Sequence, residues 1–428
     1  MPPSLKLAGK TRGGPLPGAV RGFVTAQLFS STGTWMQRAA QDWLVIHLPG
    51  GGGTALGLLT ALQFLPVLLL GSWGGALLDR YRTRAVLLVT ESVLALQALA
   101  VGLLVMTDQA GLGLLYGAAL LLGLTSAIDK PALDTLAGEL ATPTQPTRSP
   151  DPPTSAGSGV PGVLALNDAA YSLGRALGPV IAGLLIAAFG TAAAFLANAL
   201  SFLPLMLTLT LLAARPGERE RPPRGRGGVL TTLRSVSRSP DLALTLLLVT
   251  FVAAFGMNFQ MTTTLMATQV YEQPAASFAL AAAALALGAV GGSAIAVHLG
   301  SCRLRYIITM ALAFGLLEAG CAAMPNFWAF CLLLVPAGAV LLLFWSAAKA
   351  RLQVGVDEEA RGRIMGLFQV CALGTTTLAA PLVGWVSQQA GPRAGLLLGG
   401  LVSVAAAVAA AGAVRHSSFR AATADRPA

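Results

Sequence analysis

The sequence predicts an all-α integral membrane protein whose twelve helices form two related six-helix bundles. Composition points there first: 55% of the 428 residues are hydrophobic and only 11% are charged, against about 25% charged in soluble domains. The mean hydropathy is +0.70. Several apolar blocks reach the roughly 20 residues needed to cross a hydrocarbon core of about 30 Å. These blocks lack the strict alternation of barrel strands, so helices are the structure that satisfies their backbone in lipid.

The first expected element is a tail, residues 1–21, which carries Lys6, Lys10, Arg12 and Arg21 but no apolar core. It reads as cytoplasmic rather than as a cleavable signal. The first bundle, 22–214, follows with spans near 22–48, 54–78, 85–106, 111–133, 163–188 and 191–213. The first of these is broken by polar residues. Between spans 4 and 5 lies TPTQPTRSPDPPTSAGSGVPG, 142–162, whose Pro, Ser and Thr content predicts a disordered insert. The charged, Pro/Gly-rich segment 215–239 reads as a linker. The second bundle, 240–414, has spans near 241–269, 275–299, 305–324, 327–348, 364–388 and 393–414, and 415–428 is a second tail. The bundles echo each other: Arg84-Ala-Val-Leu resembles Arg305-Tyr-Ile-Ile, and Pro179 to Gly190 resembles Pro381 to Gly391. Carriers built from internal repeats keep their pathway between the repeats.

Charge orients the spans. Every Lys and Arg except Arg38, Arg175 and Arg393 falls on the side of the amino terminus. Positive residues mark cytoplasmic loops, so both termini are expected inside, in a cell inner membrane. The net charge of +10 is thereby a topology signal, and nucleic acid drops out as a partner. The four Cys form no CxxC pair and no His-rich cluster, so neither a metal nor a disulfide framework is expected. GxxxxGK[ST], HExxH and GxSxG are all missing from the sequence, which argues against ATP-driven transport and against a membrane-embedded hydrolase. No cofactor is expected.

Polar groups inside spans each need a reason, because an ionised side chain at mid-membrane costs about 2.5–3.5 kcal/mol on insertion scales. Arg38 and Asp42 lie four apart in the first span, hence on one face, with Gln37 and Gln41 beside them. They form either a cavity-facing, proton-coupling site or a structural ion pair. Glu318 stands without a cation in its own span and reads as a proton carrier or a neutral, hydrogen-bonded acid. Asn258, Gln260 and the following Thr262, Thr263 and Thr264 are substrate-facing groups or interhelical polar contacts. Span 5 contains Gly174, Arg175, Gly178, Pro179 and Gly183. Small residues at that spacing permit close backbone contact, and Pro179 removes a helical hydrogen bond. Asp168, two turns from Arg175, is expected on the same half of the cleft. Trp35, Trp43, Trp73, His47 and His298 read as interfacial or packing residues.

The stretch Gly75-Ala-Leu-Leu-Asp79-Arg80-Tyr-Arg82-Thr-Arg84 resembles the G-x-L-x-D-R-x-x-R-R loop of the major facilitator superfamily, in its usual place between spans 2 and 3. GTWMQRAAQDWLV (33–45), LALNDAAYSLGRALGPVIAGLLIAAFG (164–190) and FGMNFQMTTTLMA (255–267) extend the likeness to the enterobactin-exporter-like, or transmembrane secretion effector, branch. Arg82, the 142–162 insert and Thr264 depart from that pattern. The resemblance implies the major facilitator fold and a latch at the cytoplasmic gate: Gly75 for close approach, Asp79 at a helix N-terminus, and Arg80 and Arg84 paired with an acid such as Asp129. It also likens the span 5 residues to the Gly-Pro motif of exporters. The function implied is proton-coupled export of a small amphipathic molecule by a lipid-embedded, monomeric carrier. An importer, a flippase for lipid-like substrates, and a non-transporting sensor stand as alternatives.

Overall fold

A computed structural model of the protein describes residues 18–141, 160–212, 239–299, 301–354 and 358–424. The side chains of 71–77, 79, 160–161, 297–299, 358–363 and 417–424 fall outside that description. The expected insert lies outside it except for 160–162, which begin a helix, and the linker lies outside it except for Ser239.

Among the described residues twelve helices follow the chain: α1 (Gly18–His47), α2 (Gly53–Arg80), α3 (Thr83–Met106), α4 (Leu112–Ala141), α5 (Val160–Phe189) and α6 (Thr191–Ser201, then Leu203–Leu211). The second half repeats the order with α7 (Pro240 to Val270), α8 (Ala275–Leu299), α9 (Leu304–Ala322), α10 (Phe327–Val354), α11 (Glu358 to Ala390) and α12 (Pro392–Ala424). Eleven are long and apolar enough to cross a membrane. The exception is α1, where Gln27, Ser30, Ser31, Gln37, Arg38, Gln41 and Asp42 are all buried. That helix is hidden among its neighbours, so its polarity meets protein and not lipid. Residues 18–21 and 415–424, expected in tails, belong to α1 and α12. Helix α4 continues past its expected end at 133, and the turn expected around Asp79–Arg84 shrinks to Tyr81 and Arg82.

Breaks in the helices have local causes. Helix α6 is interrupted at Phe202, just before Pro204, which has no N–H to continue the ladder. Helix α7 widens into π turns at Val252–Gly256 and Met266–Val270, and α11 does so at Val370–Gly374. Such turns release backbone groups and re-aim side chains, and they concentrate at functional sites.

The two halves are related by their ends and their pairings. Helices α5 and α11 both stop at a glycine with positive φ, Gly190 (83°) and Gly391 (89°), where only a residue without Cβ is unstrained. Between the halves, α2 packs on α11 and α5 packs on α8, the same interface made twice under the six-helix repeat. Near the Gly53 end of the bundle these contacts are backbone-close. A Cβ added at Gly53 would stand 2.5 Å from the Gly384 carbonyl oxygen, and one at Gly57 2.5 Å from that of Ala380. One at Gly183 would meet the Ala279 Cβ at 2.7 Å. Leu56, Ile186, Leu265, Phe278 and Val383 continue this contact as one apolar cluster across both halves. The opposite end, where Arg80, Arg84, Arg303 and Lys349 lie, is called the basic end below.

Candidate functional site

A cavity of about 370 Å³ lies between the halves, walled by α1, α2 and α5 on one side and by α7, α8, α10 and α11 on the other. The apolar seal closes it toward the Gly53 end, and toward the basic end its wall includes the exposed Ser172 and Arg175 of α5.

Helix α1 reaches the cavity because α5 lies almost in backbone contact with it. A Cβ at Gly174 would sit 2.7 Å from the Thr32 amide nitrogen, and one at Gly178 2.6 Å from the Trp35 Cβ. Ser31 Oγ also donates to the Ala170 carbonyl at 3.4 Å. Gly174 and Gly178 thus hold α5 to α1, Gly183 holds it to α8 across the halves, and Pro179 and Arg175 face the cavity.

Of the expected cavity residues, Arg38, Asp42, Asn258 and Gln260 line the wall. Gln41 and Glu318 do not. Gln41 is fully buried behind α1 and accepts a hydrogen bond from Gln63 Nε2 at 3.0 Å. Glu318 sits between α7 and α12, against the glycines Gly256 and Gly399, with Oε2 unpaired; a Cβ at Gly399 would run into its Oε1, and one at Gly256 would meet the neighbouring Phe314 ring at 2.5 Å. Thr262 and Thr264 donate to backbone carbonyls of their own helix, whereas Thr263 lines the cavity.

Arg38 and Asp42 share a face without forming an ion pair: the described salt bridges do not include them. Asp42 Oδ2 instead accepts a hydrogen bond from Gln260 Nε2 of α7 at 3.1 Å, across the cavity. Arg38 stacks on Trp35 at 4.9 Å and on Phe64 at 4.7 Å. Trp35 is buried in the wall, not interfacial, and carries Arg175 as well, again at 4.9 Å.

Contacts across the halves also occur at each end. Gln388 Oε1 of α11 accepts a hydrogen bond from the Gly53 amide at 2.6 Å, capping the start of α2. At the basic end Lys349 of α10 pairs with Asp168 of α5 at 2.9 Å. Asp168 also meets Lys130 at 3.4 Å, and Lys130 pairs with Asp134 at 2.5 Å.

The expected latch pairing is not what the structure shows. Arg84 donates to the Leu212 and Thr210 carbonyls, the latter at 2.8 Å, at the end of α6. The carbonyls of a helix C-terminus lack intrahelical donors and attract a cation. Asp129 is buried and accepts from Thr90 Oγ1 at 2.6 Å. Arg80 is exposed, and the side chains of Gly75, Trp73, Asp79 and His298 lie outside the described residues. Glu91 was not expected. It is fully buried in α3 and receives Ser30 Oγ at 3.1 Å on both oxygens. An acid within an apolar span was its visible signal. Lys349, Lys130 and Gln388 carried no such signal, since they stand at span ends, where polar residues are ordinary.

Known proteins resemble this arrangement. A 25% identity over 195 residues links the chain to the Staphyloferrin A transporter of Staphylococcus aureus, covering 44% of this chain and 45% of that one. This match spans less than half of the relative's length. Among solved structures, the nucleoside transporter NupG superposes with a TM-score of 0.68 at 12% identity, covering 92% of this chain and 98% of that one. The POT family transporter PepTSo gives 0.69 at 13%, covering 95% and 99%. At such identities these structures show a shared fold. Family and neighbours alike are transporters and not enzymes. A sequence profile described as transmembrane secretion effector matches residues 15–426, and this chain, with its two six-helix halves around one cavity, belongs to that family of the major facilitator superfamily.

Proposed function

We propose that the protein is a proton-coupled exporter of a small amphipathic molecule, such as a siderophore, drug or secondary metabolite, working by alternating access. It acts as a monomer in the cell inner membrane with both termini cytoplasmic. The observation that supports this reading best is the Asp42–Gln260 hydrogen bond, which joins the halves across the cavity through an ionisable group. Protonation of Asp42 removes the charge that Gln260 donates to, so a proton and the separation of the halves are coupled at one atom. The positive-inside pattern puts the basic end in the cytoplasm, so the cavity receives substrate from inside. The name of the staphylococcal relative favours a siderophore-like cargo. The Asp79 loop acts at the same end as a latch, and Asp79→Asn is expected to cripple transport with membrane insertion intact.

Inverted vesicles with an imposed pH gradient test the proposal. Accumulation of a siderophore or drug substrate that stops when the gradient is collapsed supports proton-coupled export. Accumulation only in right-side-out vesicles identifies an importer, and movement of labelled phospholipid between leaflets identifies a flippase.

A further inference from the structure

We propose that the cavity recognises a carboxylate, or another planar oxyanion, between Arg38 and Arg175; this specifies the cargo of the transport reading above and rests on it. Three charged side chains line the cavity, Arg38, Arg175 and Asp42. Asp42 is engaged by Gln260, and the described ion pairs include neither arginine. The wall therefore presents two cations and one acid that is already hydrogen-bonded.

Trp35 fixes both cations, each guanidinium carbon lying 4.9 Å from its ring centroid. Stacking engages the flat face of a guanidinium and leaves its in-plane donors unused. Arg175 gives one of these donors, Nη2, to Met257 Sδ at 3.6 Å, and Arg38 shows the unused donors directly. It is only 5% exposed, yet its Nε and Nη1 have no acceptor in the protein. A buried cation with unfilled donors is costly unless something accepts from them, and the planar fork of arginine matches a carboxylate bidentately. Beside it, Phe64, Phe278, Trp345 and Phe368 suit an apolar or aromatic body attached to that carboxylate. A lipophilic cation meets the reverse, two guanidiniums at close range.

The test compares two dyes of one scaffold and opposite charge, fluorescein and rhodamine 6G, titrated by fluorescence polarisation against the full chain in lipid nanodiscs at pH 7.5. Fluorescein is expected to bind about tenfold or more tightly than rhodamine 6G, and Arg38→Gln and Arg175→Gln each to weaken it by about tenfold. Rhodamine 6G affinity is expected to rise, not fall, in both variants, because each removes a cation that repels the dye. Arg175→Lys, which keeps the charge on an exposed side chain, guards against misfolding and is expected to give an intermediate loss. Unlabelled benzoate is expected to displace fluorescein, and benzylammonium to leave it bound. Tighter binding of rhodamine 6G, no fluorescein binding at millimolar dye, or an unchanged fluorescein affinity in Arg175→Gln overturns the proposal. No gradient is imposed, so these outcomes are separate from the vesicle assay: export fails there if its direction or coupling is wrong, whether or not fluorescein binds here.

Discussion

Asp42 and Arg38 stand one helical turn apart, yet each is committed to a different partner. The spacing placed them on one face, but only the fold could show that Gln260 intercepts the acid while Trp35 and Phe64 take the base. Asp42→Asn keeps the shape and removes the ionisable group. It is expected to abolish gradient-driven transport and to spare downhill exchange, and an unchanged pH dependence of transport would assign Asp42 to packing. Glu91 makes a second residue-scale prediction. Its described donor is Ser30, so Ser30→Ala leaves a buried acceptor unfilled at a cost of about 1–3 kcal/mol. A lower melting temperature in detergent is the expected reading. Glu91 was legible as an ionisable residue in an apolar span. Its partner was not, because Ser30 lies on another helix.

Among the helices, glycines set which pairs touch. The Gly174 and Gly178 spacing announced a close contact, and α1 is what fills it. Gly53 and Gly57 repeat that four-residue spacing, but their partner Gly384 was not legible, because the contact crosses between α2 and α11 of different halves. Gly57→Val is expected to push these helices apart, since the added Cβ meets the Ala380 carbonyl at 2.5 Å and overpacking costs about 1–3 kcal/mol. Paired spin labels on the loops at the Gly53 end are expected to report a wider separation. Gln388→Ala removes the cap from the Gly53 amide and is expected to shift the same distance in the same direction, by less.

For the whole molecule, the halves are joined at the two ends of the cavity with unequal strength. One end joins by apolar packing and backbone-close glycines. The other is spanned by Lys349–Asp168, whose side chains are 45% and 49% exposed, and an exposed pair contributes about 0–1 kcal/mol. The basic end is therefore the easier to open. Lys349→Ala is expected to leave the melting temperature nearly unchanged while widening the label distance between α5 and α10. Asp168→Asn, which takes the acid away from both Lys349 and Lys130, is expected to widen it at least as much. By itself the sequence determined that the protein spans a membrane, the helical class, the division into two sets of six spans and the uneven distribution of positive charge, because each follows from hydrophobic length or from counts along the chain. The tertiary structure alone decided which polar groups meet across the cavity, and it moved the expected Arg84–Asp129 pairing to Arg84 on α6 and Thr90 on Asp129. Such pairings join residues far apart in sequence, and helices packed in three dimensions choose them by rotation and depth, which one-dimensional spacing does not encode.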